Sequence, residues 1–88
     1  IHTGKFCNLL EKKKNIKSSL DNIKKAATYA SKIGLDVHAG HGLTYKSASI
    51  VCKIKHINEL NIGHFIISES IFYGLKNTIN KFKKIINN

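Results

Sequence analysis

Two short stretches of this 88-residue chain carry the residue types that proton transfer and anion binding require. Ala39-Gly40-His41-Gly42-Leu43-Thr44-Tyr45 and Asn61-Ile62-Gly63-His64 each set a His directly beside a Gly. A neutral imidazole, with a pKa near 6.5, gives or takes a proton at working pH, a contribution of roughly 100- to 10,000-fold to a rate. His41 stands between two glycines, so its side chain projects from a loop with little bulk around it. It is the candidate for proton transfer, set against the plainer reading of a turn histidine. Glycine has no Cβ, so an anion's oxygen can come within hydrogen-bond distance of the backbone N–H groups beside it. A helix starting at His64 would add outward-pointing N–H groups and a dipole that favours negative charge. Each charge-assisted bond of that kind contributes roughly 1.5–3 kcal/mol. Gly63 and His64 are therefore candidates for phosphate binding, with a simple helix-start role as the alternative for His64.

The remaining chemistry-bearing residues are less well arranged. His38 and His41 have an H-x-x-H spacing, but Ala39-Gly40 between them is not a helical turn, and neighbouring strand positions point to opposite faces. With no further carboxylate or thiolate gathered there, no metal site is expected. His56 lies in a link between helix and strand. Asn58 and Glu59 read as strand-edge or barrel-packing residues. Cys7 and Cys52 form no C-x-x-C unit, so neither a disulfide framework nor structural zinc is expected. Cys52, among Ile50, Val51 and Ile54, reads as a small buried hydrophobe.

Elements that could position these residues follow from apolar spacing. Ile1-His2-Thr3-Gly4 reads as the last step of a strand running into a loop, and a polar, Lys-rich stretch then leads to Ser18-Ser19. Leu20, Ile23, Ala27 and Ala30 recur at helical intervals, with Ser18 or Ser19 as a cap and Gly34 as the stop. A strand over Leu35–Ala39 follows, closed by Gly40-His41-Gly42. Next come a helix with Ser47, Ile50, Val51 and Ile54 on one face, and a second strand over Ile57–Ile62. Phe72, Leu75, Ile79, Phe82 and Ile86 make one apolar stripe along the remainder, with Gly74 as a break between a helix near His64–Tyr73 and a longer last one.

Strict alternation of strand and helix with short links implies parallel strands joined by right-handed crossovers, an α/β architecture. Three such units cannot close a sheet, so the expectation is about a third of a (β/α)8 TIM barrel, whose usual size is about 250 residues. An open doubly wound sheet is the alternative. Residues 1–88 are read as a single fragment of one barrel domain. The chain opens on Ile1 and contains no Met, which also reads as a piece of something longer.

Composition narrows the function classes. The net charge of +10 invites an anionic partner, nucleic acid first. All 15 basic side chains are Lys, however, whereas base and phosphate readers lean on the bidentate guanidinium of Arg. Lys12-Lys13-Lys14, with Lys17 close behind, reads as a solvated loop or helix start. A basic nucleic-acid-binding module is kept as the competitor from another class. No membrane span and no signal-peptide pattern are expected, and a reducing cytoplasm suits the cysteines.

At A-G-H-G-L-T-Y (39–45) and E-L-N-I-G-H (59–64), followed by Ile66-Ile67, the sequence resembles the C-terminal third of the pyridoxine 5′-phosphate synthase family, the barrel enzymes of vitamin B6 synthesis. The resemblance runs from His2-Thr3-Gly4 to the last helix. It implies a cytoplasmic transferase condensing 3-amino-2-oxopropyl phosphate with 1-deoxy-D-xylulose 5-phosphate to give pyridoxine 5′-phosphate, phosphate and water, with no cofactor. By the same resemblance His41 matches the histidine general acid and Gly42 a residue binding the aminoacetone phosphate. Gly63 and His64 match the pair that holds that substrate's phosphate. The partners implied are phosphorylated small molecules and copies of the same chain, as an octamer. His38 stands where the family pattern has Asn. The family's other proton-transfer His and Glu, and a Glu expected just before Ile1, have no counterpart in these residues, so the fragment alone is expected to be inactive. Another phosphate-binding barrel enzyme is the nearest alternative.

Overall fold

A computed structural model describes residues 1–87. Among them are five helices and two short strands in the order α1 (Gly4–Glu11), α2 (Lys17–Lys32), β1 (His38–Gly40), α3 (Tyr45–Val51), β2 (Glu59–Asn61), α4 (His64–Tyr73) and α5 (Leu75–Ile86). The two strands pair in parallel, with His38 opposite Glu59, Ala39 opposite Leu60 and Gly40 opposite Asn61. The other edge of β1 takes residues 1–3: the Gly40 N–H donates to the Ile1 carbonyl at 2.9 Å and the Thr3 N–H to the Gly40 carbonyl at 2.8 Å. His2 thus makes a parallel bridge to Gly40, as a strand end should. The result is an α/β unit, compatible with part of a (β/α)8 barrel.

Side chains alternate across this ribbon. Ala39 is buried and Leu60 partly so, and both belong to the apolar core with Val37, Leu43, Ile23, Ala27 and Val51. His38, Gly40, Glu59 and Asn61 occupy the opposite positions and lie on the face that the helices leave uncovered. The helices therefore build one-sided cover for the strands, as their apolar stripes require.

Both strands are shorter than the apolar runs that mark them. Leu35 and Asp36 stay outside β1 because the chain is still leaving the α2 stop: the Leu35 N–H donates back to the Ala30 carbonyl at 3.0 Å. Gly34 ends α2 as expected, but neither Ser18 nor Ser19 caps its start. Asn15 is the side chain that acts there, its Oδ1 accepting from the Lys17 N–H at 3.0 Å.

Helix α1 was not expected at all. Phe6 and Cys7 pack into the core and Leu10 against it, a one-turn apolar spacing masked by the Lys run that follows. Lys12–Lys14 are exposed, as a solvated loop should be. Cys52 is half-buried rather than buried, its thiol donating to the Ser49 carbonyl at 3.5 Å; Cys7 is the cysteine inside the core. Ile54 lies past the end of α3 yet is still buried.

The stripe expected along the last helices is broken. Gly74, with φ +84°, changes the chain direction between α4 and α5, so Phe72 is 80% exposed while Thr78 and Phe82 form the buried face of α5. No residue of α4 is buried, and Ile67, Ile71, Phe72 and Tyr73 all stand exposed along it. Tyr45, Phe65 and Phe82 form an aromatic cluster with ring centroids 4.6–5.9 Å apart, which ties the starts of α3 and α4 to α5.

At the opposite ends of the strands, Asp36 joins the two approaches. Its carboxylate accepts from the Asn58 amide at 2.6 Å and from His38 Nε2 at 3.1 Å. Those bonds, that from Asn58 above all, hold the Asp36 carboxyl below its ordinary pKa.

Two outcomes are expected. Phe82 is 3% exposed, so Phe82→Ala should lower stability by about 3–5 kcal/mol in urea unfolding, and a loss under about 1 kcal/mol would show the aromatic cluster to be dispensable. Because the folded-state pKa of Asp36 is depressed, its contribution is present above the unfolded value of about 3.9 and is lost as pH falls through the folded value. The Tm deficit of Asp36→Asn, measured from pH 7 downward, should therefore shrink below about pH 4; a constant deficit contradicts the assignment.

Candidate functional site

The parallel register delivers the two Gly-His corners to the same end of the ribbon. His41 and Gly42 follow the last residue of β1, and Gly63 and His64 follow β2 by one residue. All four line one cavity of about 730 Å³, together with Glu11, Leu43, Thr44, Asn61, Phe65 and Ser68. Both corners thus face a common space.

Gly42 has φ +72°, and a Cβ there would lie 3.3 Å from the Cys7 Cβ, so both the turn and the packing on α1 call for glycine. At Gly40 the constraint is the neighbouring strand, since a Cβ would come within 2.8 Å of Asn61. Gly63 differs: an added Cβ meets no protein atom within 4 Å. Close packing thus demands glycine at Gly40 and Gly42, while Gly63 has open space where a Cβ would lie.

The two helix starts flanking the cavity are in different states. At α3 the chain satisfies itself: the Thr44 N–H donates to Ser47 Oγ at 2.7 Å and the Ser47 N–H to Thr44 Oγ1 at 3.4 Å, a reciprocal capping box. At α4 Gly63 occupies the cap position and no side chain accepts from the first turn. Unpaired N–H groups at a helix start attract anions. Of the two starts, α4 is the one with donors to spare.

His41 is exposed and has φ +92°, a backbone conformation that residues with a side chain rarely adopt. Its carbonyl accepts from the Thr3 hydroxyl at 2.8 Å and from the Cys7 thiol at 3.6 Å. His38 lies at the other end of β1 and turns to carboxylates, with Nε2 at 3.1 Å from Asp36 and 3.4 Å from Glu59. His38 and His41 therefore engage separate surroundings. Among the described residues no three His, Cys, Asp or Glu side chains converge as a metal site, and no helix is long and apolar enough to cross a membrane.

Four polar lining residues have no role in the sequence analysis, although Thr44 and Asn61 lie in its two motifs. Asn61 faces the same side as Glu59 by strand alternation, and Ser68 lies one helical turn beyond His64, so both had a periodic signal. Thr44 was marked by the T-x-x-S spacing of its capping box. Glu11 comes from α1 and could be placed only once that helix was known. Together the lining offers imidazole for proton transfer, backbone N–H groups for an anion, and hydroxyl, amide and carboxylate groups for orienting a polar substrate.

Comparison with known proteins identifies the family. Residues 1–88 match the family model described as pyridoxal phosphate biosynthesis protein PdxJ. Similar curated proteins are named pyridoxine 5′-phosphate synthase. That of Pelagibacter ubique is 54% identical over 87 residues, covering 99% of this chain and 36% of the relative. That of a Sulfurihydrogenibium species is 52% identical over 88 residues, covering 100% of this chain and 35% of the relative. The chain thus spans about a third of the length of the curated relatives it matches. An α/β unit with two Gly-His corners on one cavity, matched along its whole length, belongs to the PdxJ family of pyridoxal phosphate biosynthesis proteins.

Proposed function

We propose that these residues form the C-terminal third of a pyridoxine 5′-phosphate synthase, a cytoplasmic transferase built as a (β/α)8 barrel. The complete enzyme condenses 3-amino-2-oxopropyl phosphate with 1-deoxy-D-xylulose 5-phosphate, giving pyridoxine 5′-phosphate, phosphate and water. The observation that carries this reading is the pairing, around one cavity, of an uncapped helix start at Gly63-His64 with an imidazole at His41.

In this reading the phosphate of the amino ketone sits at the start of α4. Backbone N–H groups supply its hydrogen bonds, and the Gly63 side, free of any Cβ, lets the anion approach. Gly42 brings its backbone against the same substrate from the opposite corner. Imine formation, phosphate elimination and ring closure each need a proton moved at the right moment. His41 supplies a proton to a departing oxygen. The other proton-transfer groups come from barrel strands outside this sequence, so the segment by itself is inactive, and the working enzyme is a symmetric homo-oligomer, an octamer by family likeness.

In the complete chain, His41→Asn should lower kcat by roughly 100-fold or more with KM largely kept. Near-normal turnover would remove His41 from the mechanism. Gly63→Val, whose added Cβ meets no atom of these residues within 4 Å, should raise KM for the amino ketone phosphate by about 10- to 100-fold through lost charge-assisted bonds. An unchanged KM would place the phosphate elsewhere. Release of phosphate from the two named substrates by the complete protein separates this reading from a barrel enzyme with other chemistry.

A further inference from the structure

The imidazole assigned to proton transfer is held by a segment far away in sequence. His41 carries a backbone φ of +92°, which needs support, and the support comes from the chain just before α1. Thr3 is fully buried, and its hydroxyl donates to the His41 carbonyl at 2.8 Å. The His2 ring stacks on the His41 ring, with centroids 4.2 Å apart and planes 27° from parallel. His2 is itself steadied by the Gly4 N–H, which donates to its Nδ1 at 3.3 Å. Space around the pair is tight: a Cβ on Gly4 would lie 2.6 Å from His2 Cε1 and 2.7 Å from His41 Cδ2. One loop therefore fixes the backbone of His41, the plane of its ring and the room it occupies.

We infer that His2 and Thr3 are positioning residues for His41, the Thr3 hydroxyl anchoring its backbone and the His2 ring fixing the orientation of its imidazole. The inference rests on the proton-donor role proposed for His41. Loss of the Thr3 hydroxyl frees the His41 carbonyl, and the loop relaxes toward a commoner φ. Loss of the His2 ring lets the imidazole rotate away from the substrate. Neither change touches α4, where the phosphate is gripped, so the damage falls on proton transfer and not on binding. A misplacement of about 1 Å at a reacting group is enough to cost about 100-fold.

The test uses the complete synthase chain with two pairs of variants, His2→Ala against His2→Phe and Thr3→Val against Thr3→Ser. His2→Ala and Thr3→Val should lower kcat by about 10- to 100-fold while KM for both substrates stays within about 2-fold. His2→Phe keeps an aromatic face and Thr3→Ser keeps a hydroxyl, so each should regain most of the lost kcat. In parallel, NMR of histidine-labelled protein should show a ring-current shift at the His41 ring protons that His2→Ala abolishes and His2→Phe retains. The spectra need no turnover. They therefore still decide the stacking claim if the unmodified protein makes no product from the two substrates, which would defeat the functional reading alone. The inference is overturned by unchanged kcat in His2→Ala, by a rise in KM with kcat kept, by failure of the conservative variants to recover activity, or by His41 signals indifferent to His2→Ala. Should Thr3→Val fail to fold, the exposed His2 pair decides the matter.

Discussion

Gly40 is hydrogen-bonded on one edge and closely packed on the other. Its N–H and carbonyl engage Ile1 and Thr3 on one side, and its register partner Asn61 lies hard against it on the other. Parallel pairing of this kind sets the carboxyl ends of successive strands level, so whatever follows each strand arrives at one rim. A one-residue slip would turn Ala39 out of the core and His38 into it, exchanging a small apolar group for an imidazole that currently meets two carboxylates. The position of both Gly-His corners thus follows from backbone hydrogen bonding, enforced by the burial of Ala39.

The aromatic cluster does at the helix ends what the ribbon does at the strand ends. Tyr45 directly follows the cap of α3, Phe65 directly follows His64, and both pack on Phe82. Two helix starts that strand pairing alone would leave free to splay are held at a fixed separation. Only one of them keeps an uncapped start, because Thr44 and Ser47 close the other. The cavity is consequently asymmetric, with proton-transfer potential at one corner and anion-binding potential at the other.

Much of this was legible in the residues. Glycine beside histidine after an apolar run marks a strand end, and Gly34 and Gly74 stop helices where their spacing said they would. The helix from His64 to Tyr73 was placed without error because its ends are punctuated by glycine. What was missed shares a physical character. Helix α1 owes its stability to burying Phe6 and Cys7 against distant residues, and local Lys density hid that spacing. The contacts of His2 and Thr3 with His41 cross 39 and 38 positions, and no local periodicity reports them. Strand lengths were overestimated because apolar runs record burial, whereas pairing ends wherever a neighbour's backbone turns away. The stripe from Phe72 to Ile86 is broken twice over: Gly74 puts Phe72 on a different axis, and on α5 itself Leu75 and Ile86 stay exposed at the ends while Phe82 is buried.

Helix α4 combines an open N-terminus with a flank of uncovered isoleucine and aromatic side chains. Its anchors are Phe65, set against Tyr45 and Phe82, and its packing along α5. A surface covering that flank would restrain the helix and, through it, the donors at its tip, and an anion at the tip would favour the covered state in return. The two events are linked in free energy, each strengthening the other by the same factor. Under the function proposed above, affinity for phosphate would then depend on what covers that flank as well as on the residues at the tip.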